Sequence, residues 1–427
     1  MMRKTLIFVI VTLLALIQTG CHDFSYQGLH NVVTEEEEYN PQRVIMFIGS
    51  STNIKFNDND EEEDQEEEGE TKGTGVIGSV EGFTEKSFYI YSFLGRLQKS
   101  SYSQMAKDDP MACLIDGSLD DPESVMGREA VWNPASSLID WKYSKDPVFY
   151  PVGEALGLTY DFFAYYVDDM KLTNEDFRRT DDSVEIDIEI DGSQDIMSAV
   201  AVAADKELWY GTEDAREYAY RKECTYSYYT AQLNIHPRFI FKHHLTKLDF
   251  KLIPGKTPGF TREVKVEKIE VYSRKKADFV VAHRNHNHVG DNMGVFFKGE
   301  KSSLELKEPD GTGFQGRMVT TVTGEGPGDV VDNLGSMLVA PDQDYHLFVT
   351  LTEYRDGVKV SDSELNELHV YLGNMADPDA PFFEAGNEYM ISMTIYGKMD
   401  IRVSTEVLKW DEGGDYIYDF DEEYWNN

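Results

Sequence analysis

VEIDIEID, residues 184–191, sets Val184, Ile186, Ile188 and Ile190 against Glu185, Asp187, Glu189 and Asp191. Successive side chains of a β-strand point to opposite faces, so a period of two predicts a strand with one apolar and one wet face. A helix would scatter the same isoleucines around its circumference. The parity recurs along the chain: Leu158, Tyr160, Phe162, Ala164 and Tyr166 share one face, as do Tyr345, Leu347, Val349 and Leu351, and Tyr389, Ile391, Met393 and Ile395. No stretch after the N-terminal hydrophobic segment keeps a 3.6-residue period for three turns. The expected fold class is therefore all-β, built as sandwiches of short strands.

Details of the pattern extend this reading. Tyr345 to Leu351 runs into Arg355-Asp356-Gly357 and then Val358 and Val360, and an Asp-Gly pair between alternating segments signals a hairpin. In REVKVEKIEV the apolar parity shifts from Val264 and Val266 to Ile269 and Val271, which a one-residue bulge explains. Short helical turns are expected around Asn174 to Arg179 and Asp214 to Lys222. One sandwich domain is placed at 42–231 and a second at 232–414, with 415–427 as a C-terminal strand or tail.

The N-terminus carries a different signal. Arg3 and Lys4 precede the hydrophobic segment Leu6 to Ile17, 12 residues that fall short of the ~20 needed to cross a bilayer as a helix. Thr19 and Gly20 lead into Cys21, the shape of a bacterial lipoprotein signal, with cleavage before the cysteine and diacylation of its sulfur; an ordinary secretory signal is the other reading, because Gln18 stands where Leu is usual. Residues 1–20 are then the signal peptide and 21–41 an acidic tether, and multiple acyl chains on Cys21 would give stable attachment to the outer membrane.

The formal charge of −38 disfavours partners with phosphate backbones, so nucleic-acid binding is not expected. Part of that charge lies in Glu35 to Glu38 and in Asp58 to Glu70, runs too polar to enter a core, and 57–72 is expected to be a mobile acidic loop. It lacks the turn glycine and ligand spacing of a calcium-binding EF-hand loop. Cys113 and Cys224 follow Cys21 without a pattern, and no bridge between them is predicted.

Chemistry is harder to find. HRNHNHVGDN gathers His283, His286, His288 and Asp291, but between strands this reads as a polar loop rather than a zinc site. In RFIFKHHLTKLDFKL, Phe239, Phe241, His243 and Leu245 share a face, which makes His243 a hydrogen-bonded core residue rather than a ligand or base. No nucleophile elbow or phosphate-binding glycine loop occurs, and no catalytic residue, metal or cofactor is assigned.

The segments PVFYPVGEALGLTYDFFAYY (Pro147 to Tyr166), DIMSAVA (Asp195 to Ala201), RFIFKHHLTKLDFKL (Arg238 to Leu252) and FFEAGNEYMISMTIYGKMDIRVSTEVLKWDEG (Phe382 to Gly413) resemble, in that order, the fimbrillin family of anaerobic Gram-negative bacteria. The resemblance implies two tandem transthyretin-like sandwiches, no catalysis, and a pilus subunit exported as an outer-membrane lipoprotein. It further implies that a signal peptidase and a trypsin-like protease mature the chain, and that other pilin subunits are its partners. The protease would cut after the first strand, here Val44 to Ile48, and Lys72 at the end of the acidic loop is the candidate position, with Arg43 and Lys55 as alternatives. The vacated groove would accept a strand from a neighbour. Tyr416, Tyr418 and Phe420, beyond a Gly413-Gly414 hinge, form the aromatic face of a candidate donor strand, with a terminal strand packed on its own domain or a frayed tail as the other readings. The alternative function is a surface lipoprotein that captures glycans on aromatic side chains such as Trp132, Trp141, Trp209, Trp410 and Trp425.

Overall fold

The computed structural model describes residues 48–49, 86–95, 113–116, 125–133, 138–142, 148–150, 158–168, 170–201, 226–227, 231, 237–239, 241–284, 292–308, 311–328, 332–371 and 383–408. They form strands almost throughout. In chain order these are β1 (Ile48–Gly49), β2 (Phe88–Leu94), β3 (Cys113–Ile115), β4 (Arg128–Asn133), β5 (Leu138–Trp141), β6 (Tyr160–Val167), β7 (Phe177–Arg179), β8 (Ser183–Glu189), β9 (Ile196–Val200), β10 (Arg238–Phe239) and β11 (Lys242–His243). The long strands β12 (Thr246–Thr257) and β13 (Glu263–His283) come next, then β14 (Gly294–Glu305), β15 (Arg317–Thr320), β16 (Val322–Thr323), β17 (Gly326–Pro327) and β18 (Asp332–Val339). The last are β19 (Asp344–Arg355), β20 (Val358–Lys359), β21 (Glu364–Tyr371), β22 (Glu388–Gly397) and β23 (Asp400–Leu408).

The period-two stretch is β8. Val184, Ile186 and Ile188 are buried while Asp187 and Glu189 are exposed. Its partners are β7 and the second half of β13. The first large sheet runs β11-β9-β6-β2-β4-β5, with β3 beside β2. Here the one-faced reading of β6 fails, because Phe163 and Tyr165 are as buried as Tyr160, Phe162 and Ala164. One face meets the neighbouring sheet, where Tyr165 stands edge-on to Phe279, 6.1 Å between centroids. The other is covered by Tyr150 and Tyr226, both edge-on to Phe162. Tyr165 and Tyr91 donate their hydroxyls to the carbonyls of Met126 and Val125, so these buried phenols keep hydrogen-bond partners.

β13 organises the rest. Its first part pairs with β19 and β15, its second with β8 and β14. Against β19 the register passes from Val266↔Leu351 to Lys268↔Thr350, leaving Glu267 extra. This is the bulge read from REVKVEKIEV, and it keeps Val264, Val266, Ile269 and Val271 all buried. A second offset, between Arg274 and Lys276, occurs against β14. Bulges bend a strand and tighten its twist, so this long strand changes neighbours along its length within one sheet. The remaining sheet centres on β12, antiparallel to β18 and parallel to β22, with β23 beyond. Leu248, Phe250 and Leu252 and, on β22, Tyr389, Ile391 and Met393 enter the core.

Main-chain pairing crosses the boundary expected between 231 and 232. β8 hydrogen-bonds to β13, and β9 to β11. The hairpin at Asp356-Gly357 forms as read: both residues have positive φ, 51° and 74°, and Arg355 pairs with Val358. The turn expected over Asn174 to Arg179 is a 3-10 turn that ends at Asp176, where β7 takes over. Thr173 and Asp176 cap it reciprocally. Cys113 is a buried thiol, and Cys224 and the turn expected at Asp214 to Lys222 lie outside the described residues.

Candidate functional site

A first strand that covers an edge is the feature that the sequence makes functional. β1 pairs in parallel with β10, Ile48 beside Arg238 and Gly49 beside Phe239. The expected strand was Val44 to Ile48; the observed one is Ile48–Gly49, and 44–47 lie outside the described residues. Phe239 is fully buried, and its ring lies 6.3 Å from Phe241, which meets Phe88 edge-on at 5.3 Å. A two-residue ladder supplies few main-chain bonds, each worth a net ~0.5–1.5 kcal/mol. Removing it would open the main-chain edge of β10 beside an aromatic cluster, a surface chemically suited to an incoming strand.

Other assigned positions, Cys21, Lys72 with Arg43 and Lys55, and Tyr416, Tyr418 and Phe420, lie outside the described residues. So do His286, His288 and Asp291, while His283 is half-buried at the end of β13 opposite Ser183. Of the tryptophans, Trp141 is half-buried under the Arg128 guanidinium, 4.3 Å from its ring centre.

His243 is the core residue expected, its Nδ1 3.0 Å from Oδ1 of the fully buried Asp195. Next to it, His244 Nε2 lies 2.7 Å from Ser198 Oγ. Burial first, with the neighbouring His243 and Lys242, lowers the His244 pKa to about 4, against the opposing pull of Asp195. A serine, two histidines and an aspartate therefore meet, but the histidine on Ser198 is not the one on Asp195. A nucleophile triad needs a single imidazole between them.

A cleft of ≈600 Å³ opens beside the β12 end and the β22–β23 turn. Arg262 stacks on the exposed Phe260 at 4.9 Å, and Arg402 on Tyr396 at 4.8 Å. Among the described residues, one grouping has metal-ligand chemistry: Asp344, His346 and His369. Sequence reasoning passed over it, because parity in YHLFV marks only that His346 faces outward and says nothing of its neighbour across the sheet.

The chain is thus an all-β protein of several packed sheets. No protein-family model matches it, and no curated protein matches it. Among solved structures it is similar to a candidate cell adhesion protein from Bacteroides uniformis, at 15% identity and a TM-score of 0.39, over 87% of this chain and 100% of that one. It is also similar to the tip fimbrial protein Mfa3 of Porphyromonas gingivalis, at 12% identity and a TM-score of 0.29, over 76% of this chain and 94% of that one. The fimbrial anchor protein Mfa2 of the same organism is similar at 11% identity and a TM-score of 0.26, over 76% and 89%.

Proposed function

We propose that this chain is a fimbrillin-like subunit of a surface appendage, exported as an outer-membrane lipoprotein through Cys21 and assembled by proteolysis-triggered donor-strand exchange. The single observation that carries the reading is the pairing of β1 with β10 beside the buried Phe239: a minimal first strand sits on a main-chain edge backed by aromatics. The fimbrillin-like order of strand motifs supports it, as does a lysine, Lys72, between that strand and β2. The role is assembly and adhesion, with two transthyretin-like sandwiches as scaffold and no catalytic step. Its partners are other pilin subunits and the processing enzymes.

The test is brief digestion of the full chain with trypsin, followed by mass spectrometry of the new N-terminus and electrophoresis without boiling. A chain beginning at Gly73 together with a ladder of polymers is the expected result. Cleavage at Lys72 that leaves only monomer under any digestion time would overturn donor-strand exchange.

The cleft beside the exposed Phe260 and the half-buried Tyr396 favours glycan capture as a second reading, since aromatic rings stack on sugar faces while guanidiniums bind their hydroxyls or carboxylates. Phe260→Ala with Tyr396→Ala should abolish retention on an immobilised glycan panel if that reading holds, and leave polymer formation intact.

A further inference from the structure

On the outer face of the β19–β21 pair, His346 and His369 stand directly opposite one another, with ring centroids 3.6 Å apart. Asp344 precedes His346 by two residues, so it shares that face. Its Oδ2 lies 3.7 Å from His346 Nε2 and 3.8 Å from His369 Nδ1. Those separations are too long for hydrogen bonds. They are close to what an ion imposes: ligand bonds of ~2.0–2.2 Å in a tetrahedron set ligand atoms roughly 3.3–3.6 Å apart. One ligand atom from each of the three residues lies within 4.8 Å of the others.

A fourth residue orients the set. Glu367 Oε1 is 2.8 Å from His346 Nδ1. An ionised carboxylate only accepts hydrogen bonds, so Nδ1 carries the proton and Nε2 keeps its lone pair toward Asp344. A carboxylate behind a histidine whose other nitrogen ligates is the usual outer shell of a zinc site. The backbone beneath is fixed: β19 and β21 pair without a break from Asp344↔Tyr371 to Leu351↔Glu364, and Tyr345 and Leu347 on the opposite face are fully buried. The side chains of His346 and His369 are 32% and 43% exposed, so an ion can reach them from solvent.

The geometry points to a site for one divalent late first-row metal ion, such as Zn²⁺, ligated by Asp344 Oδ2, His346 Nε2 and His369 Nδ1. Glu367 acts as the positioning residue. Imidazole with carboxylate suits zinc, copper or nickel rather than calcium or magnesium. Three protein ligands leave a fourth position for water or for a donor from another molecule.

Metal-stripped full chain would be titrated with Zn²⁺ against a competing chromogenic chelator. One tight site per chain is expected, weakened at least tenfold in His346→Ala and in His369→Ala, and less in Glu367→Gln. His286→Ala with His288→Ala should leave it unchanged. Ring signals of histidine-labelled wild type provide a readout independent of variant folding: substoichiometric Cu²⁺ should broaden His346 and His369 first. Wild-type affinity in His369→Ala, loss of the site on His286 and His288 substitution, or first broadening at other histidines would each overturn the assignment.

Discussion

Lys247 on β12 bridges the carboxyl groups of Asp249 on the same strand and Glu388 on the parallel strand β22, its Nζ 3.5 Å from Asp249 and 2.9 Å from Glu388. Two carboxylates that share one lysine in a largely buried setting cannot both ionise cheaply. Burial first, then the neighbouring Glu388 carboxyl, raises Asp249 to about 8. Burial would raise Glu388 too, but the neighbouring Asp249 and Lys247 outweigh it and hold Glu388 below the usual range.

A dependence of stability on pH follows. An unfolded Asp loses its proton near pH ~3.9, whereas folded Asp249 keeps it to about 8, so between those values the native state binds the extra proton. Its contribution is complete below pH ~4 and declines as pH rises toward 8, at up to about 1.4 kcal/mol per unit. Asp249→Asn fixes the neutral form. Urea unfolding should show the variant gaining on wild type steadily from pH 5 to 8; parallel curves for the two proteins would contradict the assignment.

His244 acts with the opposite sign. Its pKa falls from ~6.5 unfolded to about 4 folded, chiefly by burial, so the unfolded state binds the extra proton in that window. Its contribution is present above pH ~6.5 and lost as pH falls to 4. The ring signal of His244 should stay in the neutral position at pH 5, while exposed histidines have already shifted. A midpoint near 6.5 would mean that the Ser198 contact and the burial are not kept in solution.

Gly255 on β12 has no room for a side chain. A Cβ there would stand 2.4 Å from the Tyr396 ring and 2.7 Å from the Ile395 carbonyl oxygen, and the carbonyl belongs to the main chain of β22. Gly255→Ala should therefore cost about 1–3 kcal/mol, the usual range for overpacking. Thermal melting checks it, and an unchanged midpoint would show that β12 and β22 lie farther apart there.

If Cys21 carries the proposed acyl anchor, Cys21→Ala should leave a folded protein that is no longer held by membranes. Metabolic labelling with a fatty-acid analogue should mark wild type alone; equal labelling of both would remove the lipoprotein reading.

Truncation after Gly414 removes Tyr416, Tyr418 and Phe420, each worth ~1.5–3 kcal/mol when buried in a neighbour's groove. The melting temperature should hardly change, and protease-triggered polymers should disappear from unboiled gels. Polymers that persist, or a chain that unfolds, would exclude the tail as donor strand.

Local structure was legible in the residues alone. Parity alone makes β8, β19 and β22 strands and names their buried faces; the parity shift locates the bulge at Glu267, and Asp356-Gly357 its hairpin. These follow because a strand's inside and outside repeat every two residues, whatever lies beside it. Strand partners and registers came from packing between distant segments. β8 joins β13 across some 90 residues of chain, β6 is covered on both faces, and His346 meets His369 because β19 and β21 align at that one register. Parity says that a histidine faces outward, whereas the residue it faces depends on packing between segments far apart in the chain.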